Sequence, residues 1–182
     1  MAGSLIKIDE FTISSAVASV ILGGGSSGSS GLNVSIDSTY NVYMVKLSNV
    51  APTTDGATPI FRVTKSGTAD TTANYDYTTK QLRTDSTFSN SAEVNINEWK
   101  SNDVGTNTGE VLNMISYLFN FNSSSEYSFI TQEISQISSS GLHRGRQGGA
   151  VHTVASASDG MQFLMSSGNI ASGTFTLYGL KK

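Results

Sequence analysis

In the closing run of the chain, Met161–Lys182, apolar side chains recur at every second position. Phe163 and Met165 share one parity in Met161–Met165, and Phe175 and Leu177 share one parity in Thr174–Tyr178. A period of two places successive side chains on opposite faces of an extended backbone, so both runs read as half-buried strands. The stretch between them, rich in Gly, Asn and Ser, reads as a turn, and the pair as a hairpin that closes the domain. No long amphipathic helix is evident anywhere in the chain. Its apolar residues must then be buried as sheet against sheet.

The same pattern recurs upstream. Leu5–Ile13 carries Ile6 and Ile8 on one parity but Phe11 and Ile13 on the other, which places a bulge near Asp9-Glu10. Ala16–Leu22 is β-branched and apolar. It is followed by Gly23–Gly31, a Gly/Ser run that reads as a flexible loop of a long hairpin. Tyr40, Val42 and Met44 oppose Tyr43, Val45 and Leu47, and apolar residues on both parities predict a central strand covered on two sides. Ala51–Pro59 is a turn cluster holding both prolines. Strands are expected at Ile60–Thr64, Tyr75–Leu82, Ser116–Phe121, Tyr127–Ile134 and Val151–Ala155. Loops are expected over the polar middle, Arg83–Gly109, and over Ser138–Gly149. About eight to ten short strands at this spacing predict one domain over residues 1–182. The fold expected is all-β, a mostly antiparallel, jelly-roll-like β-sandwich with little or no helix.

Composition narrows the function classes. Only 14% of residues are charged and the net charge is −3, so the basic footprint of a nucleic-acid binder is missing. Cysteine is absent, which excludes disulfides and thiolate metal sites. No apolar run approaches the roughly 18 residues of a membrane span, and Met1–Glu10 lacks the features of a secretory signal. Seven Tyr and eight Phe suffice to anchor a β core beneath hydroxyl- and amide-rich faces.

The search for chemistry ends mostly in structural readings. Gly24-Gly25-Ser26-Ser27-Gly28 matches Gly-x-Ser-x-Gly, but a run of only Gly and Ser with no helix after it is a loop, not a nucleophile elbow. Two histidines, His143 and His152, cannot make a three-ligand zinc site alone. His152 is expected as an exposed or partly buried strand residue. Asp103, Asn107 and Glu110 offer oxygen ligands without the alternate-position register of a calcium loop, so no metal or other cofactor is expected. Gly141–Gly149 gathers His143, Arg144, Arg146 and Gln147 in a glycine frame, and these four are the candidate contact loop. Trp99 with Tyr75 and Tyr77 is a candidate sugar-stacking platform, against the commoner reading of buried core aromatics. No enzyme signal survives.

The opening MAGSLIKIDE and TISSAVASVIL, the middle IDSTYNVYMVKLSNV, the segment YLFNFNSSSEYSF, the run GRQGG and the ending SSGNIASGTFTLYGLKK resemble a family of structural proteins of marine tailed phages, especially cyanophages. The resemblance covers most of the chain and is densest at both ends. It implies a non-enzymatic component of the virion exterior, a homotrimer in contact with other capsid or tail proteins. No catalytic residue carries over from it. Two roles fit: a small head-decoration or cement module, or a tail-fibre or adhesin subunit that meets host surface carbohydrate. The absence of heptads favours the compact decoration module.

Overall fold

A computed structural model of the chain describes residues 4–24, 34–86 and 88–181. The loop expected over Gly23–Gly31, and with it the Gly-x-Ser-x-Gly match, lies outside the described residues apart from Gly23 and Gly24. Thirteen strands follow one another among the described residues: β1 (Ser4–Thr12), β2 (Ser19–Gly23), β3 (Val42–Pro52), β4 (Pro59–Lys65), β5 (Thr68–Ala69), β6 (Tyr75–Arg83), β7 (Phe88–Ile96), β8 (Trp99–Lys100), β9 (Leu112–Phe119), β10 (Ser128–Ile137), β11 (His143–His152), β12 (Gly160–Met165) and β13 (Ile170–Lys181). Eight of them form an antiparallel sheet in the order β1-β13-β3-β9-β10-β11-β6-β7. The other five form β2-β12-β4, with β5 and β8 side by side along the remaining edge of β4. The two sheets pack as the all-β, antiparallel sandwich that the alternation predicts.

Alternation is cleanest in β9 and β10. Leu112, Met114, Ser116 and Leu118 point inward while Asn113, Ile115 and Tyr117 point out, and Ile130, Gln132, Ile134 and Gln136 repeat the pattern next door. The strand expected at Ser116–Phe121 therefore begins earlier, at Leu112, and ends at Phe119, with Phe121 in the turn that follows. The expected bulge in the first strand falls between Lys7 and Asp9. β3 is central, flanked by β13 and β9, but only one face is fully covered: Val45 and Leu47 are buried while Lys46 is exposed.

Four expectations need correction. The closing hairpin is a crossover, because β12 lies in the small sheet and β13 in the large one. The faces identified in the sequence are right, and they meet across the sandwich: the Phe163 and Phe175 rings stand 5.5 Å apart. A turn-like composition permits a hairpin or a crossover equally, and burying both apolar faces selects the crossover. The same holds for β2 and β3, which also lie in different sheets. The polar middle contains a nine-residue strand, β7, as well as β8. β7 is an edge strand with few buried side chains, so Ser and Asn satisfy it and the sequence mimics a loop. Finally, Ser138–Gly149 is not a loop beyond Leu142, since β11 runs from His143 between β10 and β6. Its glycines let backbones approach: a Cβ on Gly148 would sit 2.3 Å from the Thr78 carbonyl oxygen of β6.

The interior changes character along the large sheet. Under β13, β3 and β9 the small sheet supplies an apolar lid of Val20, Leu22, Phe61, Val63, Met161 and Phe163. Under β10, β11 and β6 the covering element is β8 and the irregular segment after it. Irregular backbone carries unpaired carbonyls, and buried carbonyls must find donors. Gln136 therefore donates to the carbonyls of Asn102 (3.0 Å) and Asp103 (2.7 Å), and Arg146 donates to that of Lys100 (2.8 Å).

Ahead of β3, the Tyr43 hydroxyl closes a turn. It donates to Asp37, whose backbone carbonyl and carboxylate both lie 2.9 Å away, and accepts from the Asp37 amide at 3.0 Å. Burial and the nearby Asp37 carboxylate push the phenol up to about 12. Tyr43→Phe is expected to destabilise the fold by about 1–2 kcal/mol, the loss for stranding partly buried partners. Urea denaturation checks it, and an unchanged midpoint would show that water replaces the hydroxyl.

Candidate functional site: the outer face of the large sheet

The four residues of the expected contact loop sit on a strand, so the pleat divides them between two faces. His143 and Gln147 project outward and are exposed. The His143 ring lies 2.9 Å from the Ser135 hydroxyl, and the Gln147 amide donates to Glu133 at 3.4 Å. Arg144 and Arg146 project inward. Arg144 forms an ion pair with Asp103, whose other oxygen accepts from the amide and hydroxyl of Ser139. Arg146 is only 1% exposed. Its Nε donates to the Thr79 hydroxyl at 2.8 Å and its guanidinium lies 5.0 Å from the centre of the Tyr77 ring. Burial pulls its pKa down from the ordinary arginine value. Of the four, only His143 and Gln147 offer themselves to a partner; the two arginines fasten the covering segment to the sheet.

The expected sugar platform is interior. Tyr75, Trp99 and Tyr77 are 0%, 1% and 5% exposed. Trp99 meets Tyr75 edge-on at 5.2 Å and donates its indole N–H to the Val151 carbonyl at 3.2 Å. The Tyr75 hydroxyl donates to the Asp70 carbonyl at 2.6 Å, and the Tyr77 hydroxyl to Glu93 at 2.8 Å. Each polar tip has a partner inside, so the rings spend their flat faces on the core. They are not a surface platform.

His152 is fully buried rather than partly exposed. Its ring centre lies 4.8 Å from that of Tyr75, and its Nε2 stands 3.2 Å from the Asp70 carboxylate, which also pairs with Lys65 at 3.3 Å. Burial lowers the His152 pKa below 6.5, against the pull of Asp70. For Asp70, burial alone would raise the pKa. The hydroxyl and amide of Thr72, with Lys65 and His152, outweigh it and bring the carboxyl down to about 2. Among the acidic residues weighed for calcium, Asp103 is held by Arg144 and Ser139, and Glu110 accepts the amides of Asn107. Among the described residues no three metal-ligating side chains converge.

The surface that sequence reasoning missed is the outer face of the large sheet. Registers β3–β9–β10–β11–β6–β7 bring Met44, Tyr117, Thr131, Gly149, Thr78 and Ala92 into one cross-strand row. The next row holds Val42, Phe119, Phe129 and Val151. Ile115, Tyr117, Phe129 and Val94 are 42%, 41%, 42% and 67% exposed. Val94, Ala92, Phe129 and Val151 line an open apolar groove of about 500 Å³ that runs over Gly149. A second hollow of about 350 Å³ beside it is framed by Lys46, Asn113, Glu133 and Gln147. The signal was present in the sequence: Tyr117 and Phe119 alternate with Leu118, and Phe129 abuts Ile130. Apolar residues on both parities mean that a second face also meets something apolar.

No protein-family model, curated protein or solved structure matches this chain.

Proposed function

We propose that this chain is a non-enzymatic structural module of a tailed-phage virion exterior, a small head-decoration or cement protein that docks on neighbouring subunits through the outer face of its large sheet. The observation that carries this reading is the band of exposed apolar side chains at Ile115, Tyr117, Phe129 and Val94. A contiguous exposed apolar surface marks a place where another macromolecule sits. The virion setting comes from the resemblance in the two ends and the middle of the sequence. A binding rather than catalytic role is supported by where the charges are: Asp70, Asp103 and Glu98 are each tied into partly buried pairs, with Lys65, Arg144 and Arg62. The adhesin alternative leaned on Trp99, Tyr75 and Tyr77, and their burial removes that support.

A reconstruction of the parent particle tests the reading. Regular copies on the capsid are expected. Density confined to the tail would favour the adhesin role, and absence from the particle would overturn both. In a rebinding assay, the double variant Ile115→Asp, Phe129→Asp is expected to lose at least about tenfold in affinity, equivalent to about 1.4 kcal/mol. Its thermal stability should stay close to the parent's, because exposed positions contribute within about 0.5 kcal/mol each.

A further inference from the structure

The two edges of the large sheet are built differently. β1 carries the devices that keep an edge solitary: a bulge between Lys7 and Asp9, the exposed Lys7–Glu10 pair, and Asp9 turned inward. β7 has one of them, a bulge beyond Glu93 where Val94 and Asn95 together oppose Asp76 and Asn95 takes a φ of 53°, while Phe88–Glu93 pairs with β6 in regular register. Phe88–Ala92 contains neither a charge nor a proline, and Glu93, the only charge in the strand, already pairs with Lys100 at 2.9 Å and accepts from Tyr77. β7 also bears the two most exposed large hydrophobic side chains of the described residues, Val94 (67%) and Phe88 (59%), both on the outer face. An open strand edge has one natural occupant, another extended strand, because its unpaired N–H and C=O groups demand a ladder.

We infer that β7 pairs antiparallel with β7 of a second copy of this chain, about a twofold axis through Ser91. In that register Phe88 of each copy lies opposite Val94 of the other, so the two exposed side chains cover each other twice. Ser89 meets Glu93, Asn90 meets Ala92, and Ser91 meets its own counterpart, with no like charges opposed. Within one copy Phe88 is already opposite Leu82 of β6, and Val94 lies in the groove with Phe129 and Val151. The pairing therefore joins the apolar band of one outer face to that of the other, turning two eight-stranded sheets into one. A twofold, self-complementary contact of this kind closes on itself and leaves no further edge of the same type. The inference rests on the reading above that this chain works through protein–protein contact, but not on where the particle carries it.

The absence of cysteine makes the test direct. Ser91→Cys in the full chain is expected to form a covalent dimer under mild oxidation, whereas Thr12→Cys on the opposite edge is not. In sedimentation equilibrium, Val94→Glu and Phe88→Lys alone should each weaken the dimer by about tenfold or more, and the double variant Phe88→Lys, Val94→Glu should recover it through a Lys–Glu pair across the axis. The rescue excludes misfolding as the cause of the single-variant losses. A chain that remains monomeric overturns the inference. So does the homotrimer implied by the resemblance, if it leaves Ser91→Cys uncross-linked and ignores Val94→Glu. Particle occupancy, measured separately, decides the docking role of the outer face, so the two readings fail independently.

Discussion

Phe175→Ala is expected to lower the stability of the fold by about 3–5 kcal/mol, the range for truncating a buried aromatic residue. Phe175 is 0% exposed and belongs to the crossover that ties the sheets together. Its neighbours on the large sheet are Phe11 of β1 and Leu47 of β3, and on the opposite sheet its ring meets Phe163, which in turn meets Phe61 edge-on at 5.7 Å. Alanine leaves a void bounded by both sheets, and a void between two hydrogen-bonded sheets cannot collapse without breaking a ladder. For a chain of this length each kcal/mol corresponds to about 2–4 °C in Tm, so a fall of about 10 °C is expected by calorimetry. Phe129→Ala, on the outer face, should stay within about 1 kcal/mol of the parent, since it opens no cavity. Equal effects at the two positions would show that Phe175 is not in the core.

The contrast between these two phenylalanines also marks what the sequence makes legible. Alternation identified which residues share a face in β3, β12 and β13, and those groupings survive. Parity says that Phe163 and Met165 go together; it does not say whether their strand pairs with the next one or packs over it. That choice is made by the burial of both faces at once, a property of the whole sandwich. Edge strand β7 was invisible because a strand with one neighbour and a solvated side needs no apolar residues. Arg144 and Arg146 were read as loop cations because polar residues at alternate positions normally face water. Here they face a covering segment whose backbone carbonyl and carboxylate need donors, so a polar interior substitutes for an apolar one. The single Trp and its two Tyr neighbours went the commoner way, into the core, with their polar tips satisfied. Of the candidate contact residues, His143 and Gln147 were found in the sequence and are exposed, while Ile115, Tyr117 and Phe129 were missed as surface because periodicity alone cannot say which parity is inside.

Stability is expected to fall in two steps as the solution is acidified, and both steps trace to the buried cluster around His152. Lys65, Asp70 and Tyr75 face it directly, and the Arg62–Glu98 pair stands close enough to act on Tyr75. The folded protein holds His152 neutral, with its pKa below the ordinary 6.5 because burial penalises the cation. The unfolded chain takes up that proton first. The His152 contribution is therefore complete above about pH 6.5 and is lost as the pH falls below it. Asp70 behaves likewise at lower pH. Its folded pKa is about 2 against 3.8 for the free side chain, so its contribution is present above about pH 4 and is lost between about 4 and 2. A shift of that size amounts to about 2 kcal/mol, and the side chain, 11% exposed, is little screened by solvent. Chemical denaturation at pH 7, 5 and 3 checks the prediction. In Asp70→Asn the lower step should vanish and the stability at pH 7 should drop, because Lys65 loses its anion. Stability that is flat from pH 7 to pH 3, or that rises on acidification, would mean that the cluster is charged differently from its geometry. Both expected steps run in the same direction because one buried site holds the carboxylate charged and the imidazole neutral, and acid opposes both states.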